Sequence, residues 1–174
     1  FAMEANETGL WENGLNFGET DNISQVWDDI AHRRGIGDEL ANGSKWLSEK
    51  YGGKEFAIHS KGMELAAYEP RRTVGLGLGY AVSNRGGCHL NGGYMVLLEG
   101  LSLNVNQQNP HGKPDFTVIF QDLMECVSSC GQCLFTTYAF FPPPVISHPN
   151  SWYTKAFCAS VPYLGPVLRL LNMF

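Results

Sequence analysis

Between Pro114 and Gly131 the residues Phe116, Ile119, Phe120, Leu123 and Val127 recur at helical spacing. An apolar stripe of that period makes one face of a helix that must be buried against something else. Pro114 suits the first turn of that helix, where a missing N–H costs nothing, and Gly131 suits its close. A second stripe, Ile23, Val26, Trp27 and Ile30, follows Asn22 as a candidate cap with Gln25 three residues on, and Gly35 as its stop. Asp38 to Gly43 reads as one turn of helix. Lys45 to Tyr51 reads as a helix capped by Ser44 and stopped by Gly52 and Gly53. Phe1, Ala2 and Ala5 form part of a helical face, and Ser151 to Ser160 and Pro162 to Met173 read as two closing helices. Phe56 to His59 alternates as a short strand would. The expected fold is therefore mainly α, an irregular multi-helical bundle of one or two helical subdomains with at most short strands.

Two stretches resist assignment by pattern. Arg72 to Asn84 carries Val74, Leu76, Leu78, Tyr80 and Val82 at period 2, as a strand would, but Gly75, Gly77 and Gly79 equally suit close approach of helices or backbones. Leu103 to Gly112 is rich in Asn, Gln, Pro and Gly and reads as a loop. It is the best candidate boundary, dividing a segment 1–110 from a segment 111–174. Phe141-Pro142-Pro143-Pro144 predicts a stiff extended segment.

Composition narrows the classes of partner. Net charge is −5 over 174 residues, which disfavours a nucleic-acid binder that works by neutralising phosphates. No apolar run reaches the length of a membrane span. Only 17% of residues are charged while 12% are aromatic, so much of the surface is expected to be covered by something else. The apolar termini, Phe1-Ala2-Met3 and Val167 to Phe174, fit that expectation, as ends of a piece of a longer chain. The five cysteines are an odd number with three inside eight residues, a pattern of a reduced, cytoplasmic chain rather than a disulfide scaffold.

Cys126-x3-Cys130-x2-Cys133 is the sharpest local pattern. Thiolates at such spacings ligate zinc or iron–sulfur clusters, and a helix would put Cys126 and Cys130 on one face. Each is equally well a small apolar core residue. One reading of the chain is thus a small helical metal-binding or interaction module using these three cysteines with a fourth ligand such as His148. The same spacing occurs in radical SAM enzymes, but there it follows the first strand of a large barrel that this chain is too short to build. Gly75-Leu76-Gly77-Leu78-Gly79 lacks the spacing of a dinucleotide loop. Ser83-Asn84-Arg85-Gly86-Gly87-Cys88-His89-Leu90 is the other dense stretch. Its imidazole is suited to proton transfer near neutral pH, and Arg85 is a candidate for binding an anion or for a salt bridge.

Taken together, the segments Arg34 to Lys45, Glu55 to Leu65, Ala67 to Arg71 and Gly77 to Leu90 resemble, in order and spacing, the tungsten-containing aldehyde ferredoxin oxidoreductases. The resemblance runs from about residue 1 to about residue 140, and Ser-Asn-Arg-Gly-x-Cys-His is its most specific part. It implies a tungsten (or molybdenum) ion between two pterin dithiolenes beside one [4Fe–4S] cluster, with aldehydes oxidised to carboxylic acids and electrons passed to ferredoxin. The chain resembles the later helical domains, 1–110 the second and 111–174 the third. The N-terminal part of the same polypeptide would supply the pterin base and the other cluster cysteines. The isolated chain is then expected to be inactive, and a homodimer is among the expected assemblies.

Residue by residue, the resemblance assigns His89 to the catalytic histidine near the metal, with a role in hydrogen bonding or proton transfer at the substrate oxygen. It assigns Cys133 to the fourth cluster ligand. Gly131 matches the glycine of the motif that carries this cysteine. Three cofactor-facing positions depart from the pattern. Ser128 stands where a pterin-binding Asp is expected, Gln132 where Leu is usual, and Asn91 where a basic residue usually follows His-Leu. A serine accepts weaker hydrogen bonds than a carboxylate, and an asparagine lacks the charge of a basic residue. Under the resemblance, Cys126 and Cys130 are ordinary residues of a helix face.

Overall fold

In a computed structural model, which describes residues 1–101, 103–140 and 143–171, the chain forms two compact units, Phe1–Glu64 and Leu65–Phe174. The described residues form eight α-helices and one two-stranded sheet, so the fold is mainly α. The loop around residue 110 lies inside the second unit.

The first unit holds α1 (Ala2–Glu7), α2 (Ile23–His32), α3 (Ile36–Leu40), α4 (Gly43–Tyr51) and the hairpin β1 (His59–Ser60) and β2 (Met63–Glu64). Helix α2 ends at His32, three residues before Gly35, because Arg33 itself takes the left-handed conformation (φ 51°) while Gly35 opens α3. Arg34 then reaches back to the carboxylates of Asp28 and Asp29. Asn22 and Asn42 stand at the starts of α2 and α4 without a side-chain cap bond. For α4 the anion comes from elsewhere. Glu64 Oε1 accepts the Ser44 N–H at 2.6 Å, satisfying a donor of the helix start with a carboxylate twenty residues away. Helix α4 stops at Gly52 (φ 88°), as its sequence predicts. The strand expected over Phe56 to His59 lies slightly later. His59 pairs with Glu64 and Ser60 with Met63, around a turn in which Lys61 and Gly62 both have positive φ. Ring contacts close the unit, with Trp11 stacked on Tyr51 at 4.6 Å and Phe1 against Phe56 at 5.1 Å.

The second unit is built around α5 (Val74–Val82), α6 (Lys113–Ser129), α7 (Pro143–Ser147) and α8 (Trp152–Leu171), with a π-type turn over Leu97–Leu101 and a 3-10 helix over Leu134–Phe140. The ambiguous Gly-rich stretch is a helix, and its glycines are contact points. A Cβ on Gly75 would lie 2.9 Å from Glu99 Oε1, on Gly77 2.9 Å from the Pro70 carbonyl oxygen, and on Gly79 2.3 Å from the Gly92 carbonyl oxygen. Tertiary approach of backbone overrides the strand-like alternation.

Residues 94–98 run between two apolar clusters. Met95 and Leu98 join Leu103, Val105, Phe116, Phe120 and Val161. Tyr94, Val96 and Leu97 join Leu76, Tyr80 and Met124. Phe116, Phe120 and Leu123 of the stripe expected on α6 serve the first cluster, while Met124, outside that stripe, carries the same helix into the second. Glu99 and Lys113 are buried beside them as an ion pair. Glu99 accepts the N–H groups of Gly75 (2.8 Å) and Leu76 (2.9 Å) at the start of α5, and Lys113 Nζ also donates to the Gln107 carbonyl at 2.8 Å. Every strong polar group of the pair is thus engaged, as burial of charge demands.

Two expectations need correction. The closing helices are one, since α8 runs through Pro162. Its buried Val161 belongs to the core, and a Cβ on Gly112 would lie 2.4 Å from the Val161 carbonyl oxygen. Packing on α6 holds the helix where proline alone would interrupt it. Pro143 and Pro144 are not extended but open α7, where proline's fixed φ is already helical. Phe141 and Pro142 lie outside the described residues, as do residues 172–174 at the end of the expected last helix.

Candidate functional site

The loop that follows α5 is wound by consecutive backbone turns. Cys88 N–H donates to Gly86, Gly92 to Cys88, Gly93 to Leu90 and Tyr94 to His89, at 2.7 to 3.1 Å. Gly79 and Gly92 meet with no room for a side chain on either, which presses this loop onto α5. His89 is half-buried in it. Its ring lies 5.3 Å from that of Tyr68 and 6.1 Å from that of Tyr94. Burial holds the imidazole below its ordinary pKa, because leaving water penalises the charged form. His89 is therefore neutral at neutral pH, with one nitrogen to accept a proton and one to donate.

Asn91 lies under the same loop and is buried. Its Oδ1 accepts from Arg85 Nη1 at 2.9 Å and from the Cys88 thiol at 3.4 Å, and its Nδ2 donates to Glu125 Oε1 of α6 at 2.6 Å. Its own N–H points at Cys88 Sγ, and its carbonyl accepts from Gln121 Nε2, both at 3.4 Å. Both acceptor directions of the amide are filled, and one amide hydrogen has no partner among the described residues. Asn91 thus joins the His89 loop to α6. Arg85 is held by this amide, and no ion pair forms on it among the described residues.

The other half of the site lies past the end of α6. Gln132 N–H donates to the Val127 carbonyl at 3.2 Å and Gly131 N–H to Ser128 at 2.9 Å, with Gly131 at φ 69°. This is the Schellman arrangement that a glycine one residue past the cap permits. It turns the chain so that Cys133 follows at once, exposed, and its carbonyl accepts the N–H (2.9 Å) and hydroxyl (2.8 Å) of Thr136 in the 3-10 helix. Ser128, Gln132, Cys126 and Cys130 are exposed on or beside this helix end.

Aromatic rings join the two halves. Tyr94 meets Phe135 edge-on at 6.3 Å and Tyr138 edge-on at 6.0 Å, and Phe135 stacks on Tyr138 at 6.4 Å. The Tyr94 and Tyr138 hydroxyls are 2.7 Å apart. A continuous row of rings therefore leads from His89 to the residues just after Cys133.

A sequence model of the family described as aldehyde ferredoxin oxidoreductase, domains 2 and 3, matches residues 1–160. The chain belongs to this family. It is 43% identical over 128 residues to a tungsten-containing aldehyde ferredoxin oxidoreductase of Pyrococcus furiosus, covering 71% of this chain and 21% of that protein. To its counterpart from Thermococcus kodakarensis it is 41% identical over 148 residues, 79% of this chain and 24% of the relative. The Pyrococcus horikoshii protein of the same name is 39% identical over 150 residues, with the same two shares. The chain thus spans less than a quarter of the length of the curated relatives it matches.

Among the described residues no group of three or more His, Cys, Asp or Glu side chains could hold a metal ion. One exposed thiol on a braced turn has the chemistry of a single ligand to an iron–sulfur cluster and by itself could not hold one. Exposed Ser128 and Gln132 beside it fit contacts to a polar pterin edge. Asn91, with one free amide hydrogen, fits such a contact poorly. Sequence reasoning missed Glu125, Tyr94 and Tyr138. Nothing in their spacing marks them, although the Gly92-Gly93 pair before Tyr94 announces an unusual backbone.

Proposed function

We propose that the chain is the cofactor-covering part of a tungstopterin and iron–sulfur oxidoreductase that converts aldehydes to carboxylic acids with ferredoxin as acceptor. The observation that carries this reading is the packing of His89 and the segment after Cys133 onto one aromatic cluster within a family member. His89, neutral and half-buried, would hold or take a proton at the substrate oxygen. Cys133 would supply a thiolate to the [4Fe–4S] cluster, and Ser128 and Gln132 would hydrogen-bond the pterin. Bound tungsten (or molybdenum) bis-pterin would take up the electrons of aldehyde oxidation, the cluster passing them on singly. Tyr68 and Tyr94 exclude water from two sides of the imidazole. Asn91 holds Arg85 and the His89 loop against α6.

The N-terminal part of the polypeptide, a small aldehyde and ferredoxin are the proposed partners, with a homodimer as the proposed assembly and the cytoplasm as the compartment. We assign 1–110 and 111–174 to the family's second and third domains. The chain alone is inactive on this reading. Anaerobic co-expression with the N-terminal part of a family enzyme, in the presence of tungstate, tests it. Aldehyde-dependent viologen reduction is expected from the complex and not from either part, and is lost in the Cys133→Ser and His89→Gln variants. A complex loaded with tungsten and cluster that oxidises no aldehyde in a broad panel overturns it, and aldehyde oxidation by the chain alone overturns its inactivity.

A further inference from the structure

Tyr94 has a backbone that its side chain does not favour. Its φ is 45°, in the left-handed region that bulky residues avoid, and its side chain is 2% exposed. Such strain persists only where surrounding contacts hold it, and it concentrates where geometry serves function. The contacts that hold Tyr94 are specific. Gly93, at φ 95°, brings the chain so close to α6 that a Cβ there would lie 2.8 Å from the Thr117 carbonyl oxygen. The Tyr94 N–H closes a turn onto the carbonyl of His89 at 3.1 Å, and its ring stands against the imidazole. Its hydroxyl is anchored at 2.7 Å by Tyr138, five residues after Cys133. Backbone, ring and hydroxyl therefore each perform a separate task, and two of the three act on His89.

We propose that Tyr94 is a positioning residue, which fixes the imidazole of His89 and, through its phenol pair with Tyr138, ties that imidazole to the turn carrying Cys133. The proposal rests on the functional reading above for the roles of His89 and Cys133, but its geometry belongs to this chain alone. The titratable groups facing the imidazole are the phenols of Tyr68 and Tyr94, and no charged side chain among the described residues pairs with it. What holds it neutral is exclusion of water, which depends on the rings staying in place.

The test uses the full chain without cofactor, so that its failure is distinct from failure of the proposed reaction. The His89 ring is followed by NMR against pH in wild type, Tyr94→Phe, Tyr138→Phe and the double variant. Each single variant removes the same hydroxyl pair from one end while keeping both rings. The expected result is an upward movement of the His89 midpoint toward the ordinary imidazole value in each single variant, with no further movement in the double. Broadening of the Phe135 ring signals in both is expected with it. An unchanged His89 midpoint in a folded Tyr138→Phe chain, whatever its melting temperature, overturns the proposal and leaves the phenol pair as core packing. Unequal midpoints that add in the double variant overturn it as well, since two independent effects then replace the single tie. Tyr138→Phe leaves the strained residue itself intact, so the test survives if Tyr94→Phe fails to fold.

Discussion

Single side chains carry two of the clearest energetic consequences. The folded state lowers the pKa of His89 by burying it, so the unfolded chain binds the proton more readily than the folded one. Between the lowered value and the ordinary one of about 6.5, stability therefore falls as pH falls, and it is fully present above that window. Urea midpoints at pH 7.5 and pH 5.5 should show this slope, and His89→Gln should remove its share of it. The Glu99–Lys113 pair sets a larger stake, being buried and locked to the start of α5. Lys113→Met strands the Glu99 charge and should cost about 3–5 kcal/mol in denaturant unfolding, by the usual cost of breaking a buried pair. Adding Glu99→Gln to that variant should recover part of the loss, and failure to recover any would show that the pair's charge is not what matters. Neither residue stands out in the sequence as a partner of the other, because nothing in the pattern reveals which distant polar groups fold together.

At the level of elements, sequence and structure part company where backbones touch. The stripe of α6 and its glycine close are legible because period and cap are local properties. The Gly-rich helix α5 is not, since its glycines record contacts with Pro70, Gly92 and Glu99 rather than a preference for helix. Gly79→Ala is the sharp test. On helix propensity alone it should stabilise α5 by about 1 kcal/mol, whereas a methyl group 2.3 Å from the Gly92 carbonyl oxygen must push the His89 loop away. Net destabilisation of about 1–3 kcal/mol is expected, from the cost of overpacking, together with altered His89 ring signals. A more stable Gly79→Ala chain would mean that the contact is soft. The capping of α4 is a similar case. Ser44 is the residue that looks like the cap, but it lies inside the helix, which starts at Gly43, and its own N–H donates to Glu64.

For the molecule as a whole, the family is established by a match to residues 1–160, while the chain covers only 21% to 24% of three relatives. The cysteine cluster, read by spacing alone, suggests a self-contained metal site. In the structure Cys126, Cys130 and Cys133 are exposed, and no metal-holding group of three forms among the described residues. Anaerobically purified chain should accordingly be colourless, with less than stoichiometric zinc and iron by elemental analysis. A stoichiometric zinc or a brown cluster would favour the metal-module reading instead. The helical class, the α6 stripe with its stop, and the family motif through His89 follow from the sequence by itself, because each is written in local spacing. That Gly75, Gly77 and Gly79 lie in a helix, that Asn91 is occupied by Arg85, Cys88 and Glu125, and that Tyr94 with Tyr138 joins His89 to the Cys133 turn were decided only by tertiary structure. The physical reason is the same for all three: they depend on groups far apart in the chain meeting at atomic distance, and composition and periodicity do not encode which groups meet.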